Sequence, residues 1–464
     1  MFEFNSVTAP FLVTGVMASL LMAGVILRRF VPFFRKALLP ASIIAGLLGF
    51  ILINAGIIPI KQSVFETISF HLLNLSFMSL TLATTRKEVT KNTKNEKTVR
   101  GGLWLALMWG ALISVQIIAA GLISLLFVKT DFDPLYGMLS AHGFAQGPIQ
   151  ALSMAKTWIS SINGESLNDA AQIGLFFAMI GYFSAVLIGV PICNLFFKKN
   201  LAALPKSESD TELEKGFYDR STEKTIGNQT THRASIDTLT FQLAFMLFLY
   251  FITYLLVSIV DPKHETMLFS MMFAWAILVA NLAVFILRKF KADHLIDQGV
   301  QNSISNFCTD AALVACMMSV TIGVVVKYLV PLITVSVVVV AATIALTWFF
   351  AKKTGHYAAE RFVTIFGIAT GTAITGLLLL RILDPEGKTS VTKEIVWWNV
   401  FQMITAGIMG TLSPFAALFG WKIWLAINLV LAAVLLLFTY LLGKNLASPA
   451  KLSSRKKEPV VETA

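Results

Sequence analysis

The sequence predicts an all-α polytopic membrane protein, built as an inverted repeat of five spans plus a re-entrant hairpin each, with one extra C-terminal span. Three observations lead there. The 464 residues are 56% hydrophobic and only 14% charged, too apolar for a soluble chain of ordinary composition. Near-uncharged runs of about 20 residues, the length a helix needs to cross hydrocarbon, recur from end to end. Two broken, small-residue stretches, SAHGFAQGPIQA at 140–151 and FGIATGTAITGL at 366–377, repeat the pattern G-x-A-[QT]-G at an offset of 224.

Taken in order, the first membrane repeat covers 1–197. Its apolar runs fall near 9–27, 38–59, 64–85, 101–128 and 168–197, with a hairpin near 136–156 before the last. A polar linker follows at 198–237, too poor in large apolar residues to fold alone. The second repeat, 238–419, has runs near 238–260, 266–287, 303–326, 329–350 and 395–419, with a hairpin near 362–383. Asp384-Pro385 reads as turn chemistry that ends this hairpin. An extra helix at 420–443 has no counterpart, and 444–464 is a basic tail. The N-terminus lacks the basic n-region of a cleaved signal and opens the first span directly.

Loop charge sets the orientation. With the N-terminus outside, the segments on the opposite face hold 31 of the 37 Lys and Arg residues. The positive-inside rule therefore places the linker and tail in the cytoplasm of a cell (inner) membrane, and explains the net charge of +11 without a nucleic-acid partner. An odd number of spans before the linker makes the second half start from the opposite side, the signature of an inverted repeat. Met78–Ala83 resembles Met318–Gly323, and Pro191 answers Pro414, in the same order.

The broken stretches carry the functional expectation. Unpaired backbone at membrane depth survives only where protein or a polar cavity satisfies it, and matching interrupted segments in two halves point to a solute site. Around the first break stand Ser140, His142, Gly143, Gln146 and Gly147; around the second, Gly367, Thr370, Gly371, Thr372 and Thr375. The alternative is that these small residues only permit tight helix packing. Asp310 lies in an apolar run, as a cation ligand, a proton carrier or an interfacial acid near a helix start, and Asn306 shares its face one turn earlier. Arg381 either pairs with a carboxylate or snorkels at the cytoplasmic end of its hairpin. Trp397 and Trp398 read as interfacial anchors, and His71 as a packing residue.

Nothing points to an enzyme. The chain contains no G-x-x-x-x-G-K-[ST] and no H-E-x-x-H, and Cys193, Cys308 and Cys316 have no metal spacing. No cofactor is expected.

On His142-Gly143 with the small residues after it, and on Gly367 through Arg381 in FGIATGTAITGLLLLR, the chain resembles the bacterial sodium/glutamate symporter family. It departs from that pattern in Ala141 before the histidine and in Phe144, Gln146 and Pro148 after Gly143. The resemblance implies a homodimer that moves glutamate or a related small carboxylate by an elevator-like shift coupled to Na+. It places the solute at the two hairpins, on Ser140, His142, Gly143 and Gly147 and on Gly367, Thr370, Gly371, Thr372 and Thr375; the candidate Na+ site at Asn306 and Asp310 rests on their own place in an apolar run. A proton-coupled carrier of another organic anion, or a channel or non-transporting sensor, is the alternative.

Overall fold

The computed structural model describes residues 9–36, 39–83, 96–162, 167–205, 225–232, 234–262, 269, 272–384, 387–413 and 415–447. Much of the expected linker, most of the 86–100 loop, Pro414 and the end of the basic tail lie outside them. The described elements are all helical. In the first half they are α1 (Ala9–Phe30), α2 (Pro32–Lys36), α3 (Ala41–Asn54), α4 (Gln62–Ala83), α5 (Glu96–Ser124), α6 (Pro134–Gln146), α7 (Pro148–Ile162) and α8 (Ala170–Lys198). The second half gives α9 (Thr238–Val260), α10 (Met272–Lys289), α11 (Gln298–Ser319), α12 (Ile322–Lys327), α13 (Leu329–Ala351), α14 (Ala358–Thr370), α15 (Ala373–Leu383), α16 (Ser390–Leu412), α17 (Phe415–Phe419) and α18 (Trp421–Ala447).

Aspartate side chains cap three of the described helices. Asp133 caps α6 through the Leu135 amide at 2.7 Å, ahead of Pro134 at the first helical position. Asp237 caps α9 and Asp297 caps α11 in the same manner.

Seven helices among the described residues are long and apolar enough to cross a membrane, which makes this a multi-pass membrane protein. Helices α4, α11 and α16, with 22, 22 and 23 residues, are long enough but more polar. In α4 and α11 much of that polarity faces inward. Ser79 Oγ donates to the Gln301 carbonyl at 2.8 Å, Ser76 Oγ lies 2.6 Å from Thr309 Oγ1, and Ser305 Oγ donates to the Ser76 carbonyl at 3.0 Å. Numbers fall along one helix as they rise along the other, so the pair is antiparallel. Hydroxyls shielded from lipid in this way satisfy one another across the seam.

The helices sort into two bundles. One joins α1, α3 and α4 to α9, α10 and α11; the other gathers α6, α7, α8, α13, α14, α15, α16 and α18 around α5. Contact between the bundles is sparse by comparison and runs mainly through α4 with α7 and α8 with α11 and α12. Within the second bundle α8 threads between both broken segments, and its glycines make the room. A β-carbon at Gly174 would sit 3.2 Å from the Ala151 carbonyl oxygen, one at Gly181 2.5 Å from that of Thr370, and one at Gly189 2.5 Å from Leu379 Cδ1.

Candidate functional site

Both stretches that the sequence marks as broken are helix–break–helix units. The chain turns at Gly147, where φ is +81° and ψ −179°, a conformation essentially confined to glycine. It turns again at Gly371 and Thr372, between α14 and α15. The two turns meet. A β-carbon built on Gly147 would lie 3.3 Å from Thr372 Cγ2 and 3.9 Å from the Gly371 carbonyl oxygen. The Tyr182 hydroxyl of α8 is 3.8 Å from the same point and faces Thr372. Two helix C-termini (α6, α14) and two N-termini (α7, α15) therefore converge on one spot. Helix ends of these two kinds bring partial charge of both signs to it.

The other predicted site residues fall into three groups. Gln146 is partly buried beside Gly147 and is tied to His142, whose Nδ1 donates to Gln146 Oε1 at 2.6 Å. The opposite ring nitrogen, Nε2, takes a 2.8 Å hydrogen bond from Ser413 Oγ, and Trp158 donates to the Ser413 carbonyl. Both nitrogens of His142 are thus engaged within the protein, and the residue is 1% exposed. Ser140 is fully buried on the same helix, one turn before Phe144, and its hydroxyl has no partner among the described residues.

The second group has turned to packing. Gly143 admits α8 so closely that a β-carbon would be 2.8 Å from the Ala178 amide. Gly367 faces Gly376, where the arms α14 and α15 cross. Thr370 donates to the Phe366 carbonyl at 2.6 Å, and Thr375 Oγ1 donates to the Gly367 carbonyl while accepting from the Thr372 amide. The third group stands outside the two turns themselves. Arg381 is exposed near the far end of α15, nine residues or about 13 Å along the helix from Thr372. Asn306 and Asp310 are exposed on α11, in the other bundle. Asp310 stands midway along that helix rather than near its start, with the Ser42 hydroxyl beside its carboxylate and Tyr182 within electrostatic reach.

The family model described as sodium/glutamate symporter matches residues 8–373, more than three-quarters of the chain. The chain belongs to the sodium/glutamate symporter family. The match takes in the first broken segment whole and ends at Ala373, just past the second turn. No curated protein matches the chain. Membership implies a secondary transporter rather than an enzyme, with Na+ as coupling ion and glutamate as the substrate in the family's name.

Several residues that build the site escape a reading of the sequence. Tyr182 sits in an apolar run with nothing to mark it. Gln116 does carry a signal, a lone amide within LISVQIIAA, which is costly in a membrane unless it has a partner. Arg361 counts as a loop charge by position, yet it is 4% exposed and forms a two-pronged ion pair with Glu394 at 2.7 and 2.8 Å. Its remaining nitrogen donates to the Thr354 carbonyl, so the base of α14 is clamped to α16. Trp398 is a correction. It is 4% exposed and stands edge-on to Trp109 in the core, whereas an anchoring ring has to face lipid headgroups.

Proposed function

We propose that this protein carries glutamate or a related small carboxylate across the cell membrane together with Na+, by elevator-type alternating access. The observation that carries the reading is the meeting of the Gly147 turn with Gly371 and Thr372 beside Tyr182. One turn comes from each half of the chain, as expected of two re-entrant hairpins that enter from opposite faces of an inverted repeat. The amide ends of α7 and α15 suit the carboxylate, and the carbonyl ends of α6 and α14 suit Na+. Gln146, Gly147, Gly371 and Thr372 line this junction, and His142 holds Gln146 in place.

Asp310 belongs to the wall past which the site travels, and Arg381 to the cytoplasmic end of its hairpin. The second bundle, with both turns, is the moving body; the first, with the α4–α11 seam, is the frame and the face for a homodimer. The sparse contact between bundles supports that division. The N-terminus lies outside, and the linker and tail inside.

Reconstituted into liposomes, the protein is expected to accumulate labelled glutamate when an inward Na+ gradient is imposed, with saturation at high solute. Accumulation that ignores Na+ and follows an imposed pH gradient would transfer the coupling to protons. Flux that never saturates would replace the carrier by a channel.

A further inference from the structure

The two turns are held by the same helix. Trp109 Nε1 donates to the Ala145 carbonyl at 2.9 Å, and Gln116 Nε2 donates to the Ala369 carbonyl at 2.9 Å. Ala145 and Ala369 are the matching alanines of the two G-x-A-[QT]-G motifs. Each carbonyl is among the last four of its helix, so the helix itself supplies no donor for it. Buried and unpaired, such a carbonyl would be costly. Both donors come from α5, and both are locked: Trp109 by the edge of Trp398 at 5.9 Å, Gln116 by a second bond to Thr343 Oγ1 at 3.0 Å. They are seven residues apart, two turns and about 10.5 Å along one helix face.

We infer that α5 is the ruler that sets the spacing of the two turns, and that Trp109 and Gln116 are positioning residues, one for each turn. A stiff helix gripping both carbonyls allows neither turn to slide relative to the other without breaking a hydrogen bond. The solute junction then stays assembled while the bundle around α5 moves as a unit. Neither residue touches the junction; each acts through the turn it holds. The role assigned to the turns rests on the transport reading above, whereas the bracing itself does not.

Hydrogen exchange on the purified full-length protein tests the bracing without any transport. Trp109→Phe is expected to speed amide exchange in 140–152 by roughly fivefold or more, the equivalent of one lost hydrogen bond, and to leave 364–378 unchanged. Gln116→Met, close in length and without a donor, should do the reverse. Exchange unaltered in both variants, or raised alike throughout the bundle, overturns the inference. Should Gln116→Met fail to fold, Trp109→Phe keeps a ring against Trp398 and carries the test alone. In Na+-driven uptake a displaced turn raises KM by a similar factor with Vmax within about twofold. A merely destabilised protein loses Vmax instead, and that pattern also overturns the assignment. An absence of uptake in the unaltered protein defeats the transport reading, while the exchange result still decides the bracing.

Discussion

A β-carbon at Gly181 would press on the Thr370 carbonyl from 2.5 Å and on Phe144 from 3.2 Å, so one methyl group there meets both broken segments at once. Gly181→Ala is therefore expected to cost about 1–3 kcal/mol of stability as overpacking and to cut uptake sharply. Gly15, also inside a helix but with nothing within 4 Å of the same position, supplies the control without a clash as Gly15→Ala, where only helix propensity changes. Thermal unfolding and uptake on the two variants check this. Single residues also show where sequence reasoning stops. Gly147 is legible because a Gly-Pro step interrupts an apolar run. Gly143 and Gly367 look the same on paper, yet they admit neighbours instead of turning the chain. Sequence does not tell those two uses of glycine apart. Nor does it show that the hydroxyls of Thr370 and Thr375 are spent on their own backbone.

Elements are the most legible scale, because hydrophobic runs and the caps beside them are local. The run expected at 238–260 is α9 to the residue, and 329–350 misses α13 by one. The run at 38–59 overshoots, since α3 ends at Asn54 before Gly56 takes a φ of +74°. The turn after α15 is legible at Asp384, but its strength is not. Burial alone would raise the Asp384 carboxyl, yet hydrogen bonds from the Thr389 hydroxyl and amide, the Lys388 amide and Thr392 hold it below the ordinary carboxylate range. A folded-state value below the unfolded one contributes stability above the unfolded pKa of about 3.9, and that contribution is lost as pH falls through the folded value. Asp384→Asn is expected to cost about 1–3 kcal/mol at neutral pH, with donors left unmatched. Its deficit in thermal unfolding should shrink towards zero as the medium is acidified below about pH 4.

At the scale of the molecule, loop charge carries only an expectation of orientation, and the division into two bundles needs coordinates. Which helices associate depends on contacts more than two hundred residues apart, such as Ser76 with Ser305 and Gln116 with Ala369. An ion pair bridges the bundles by way of α4 and α7, Lys156 with Glu66 at 3.1 Å. With side chains 35% and 20% exposed it is a modest tie, of about 0.2–1 kcal/mol. Lys156→Met, Glu66→Gln and the double variant are expected to shift the uptake rate by the same factor, at most about fivefold. A double variant that differs from both single ones would show the two residues acting apart.

Each bundle draws helices from both halves of the chain. When synthesis has reached Lys198, Ser76 and Ser79 still await Gln301 and Ser305, and Trp104 awaits the helix that passes it at Gly443. Neither core closes on the ribosome's first half of the work, and the seam hydroxyls of α4 must wait without their final partners. Assembly of this protein is a late event, completed only after the last helices have been made.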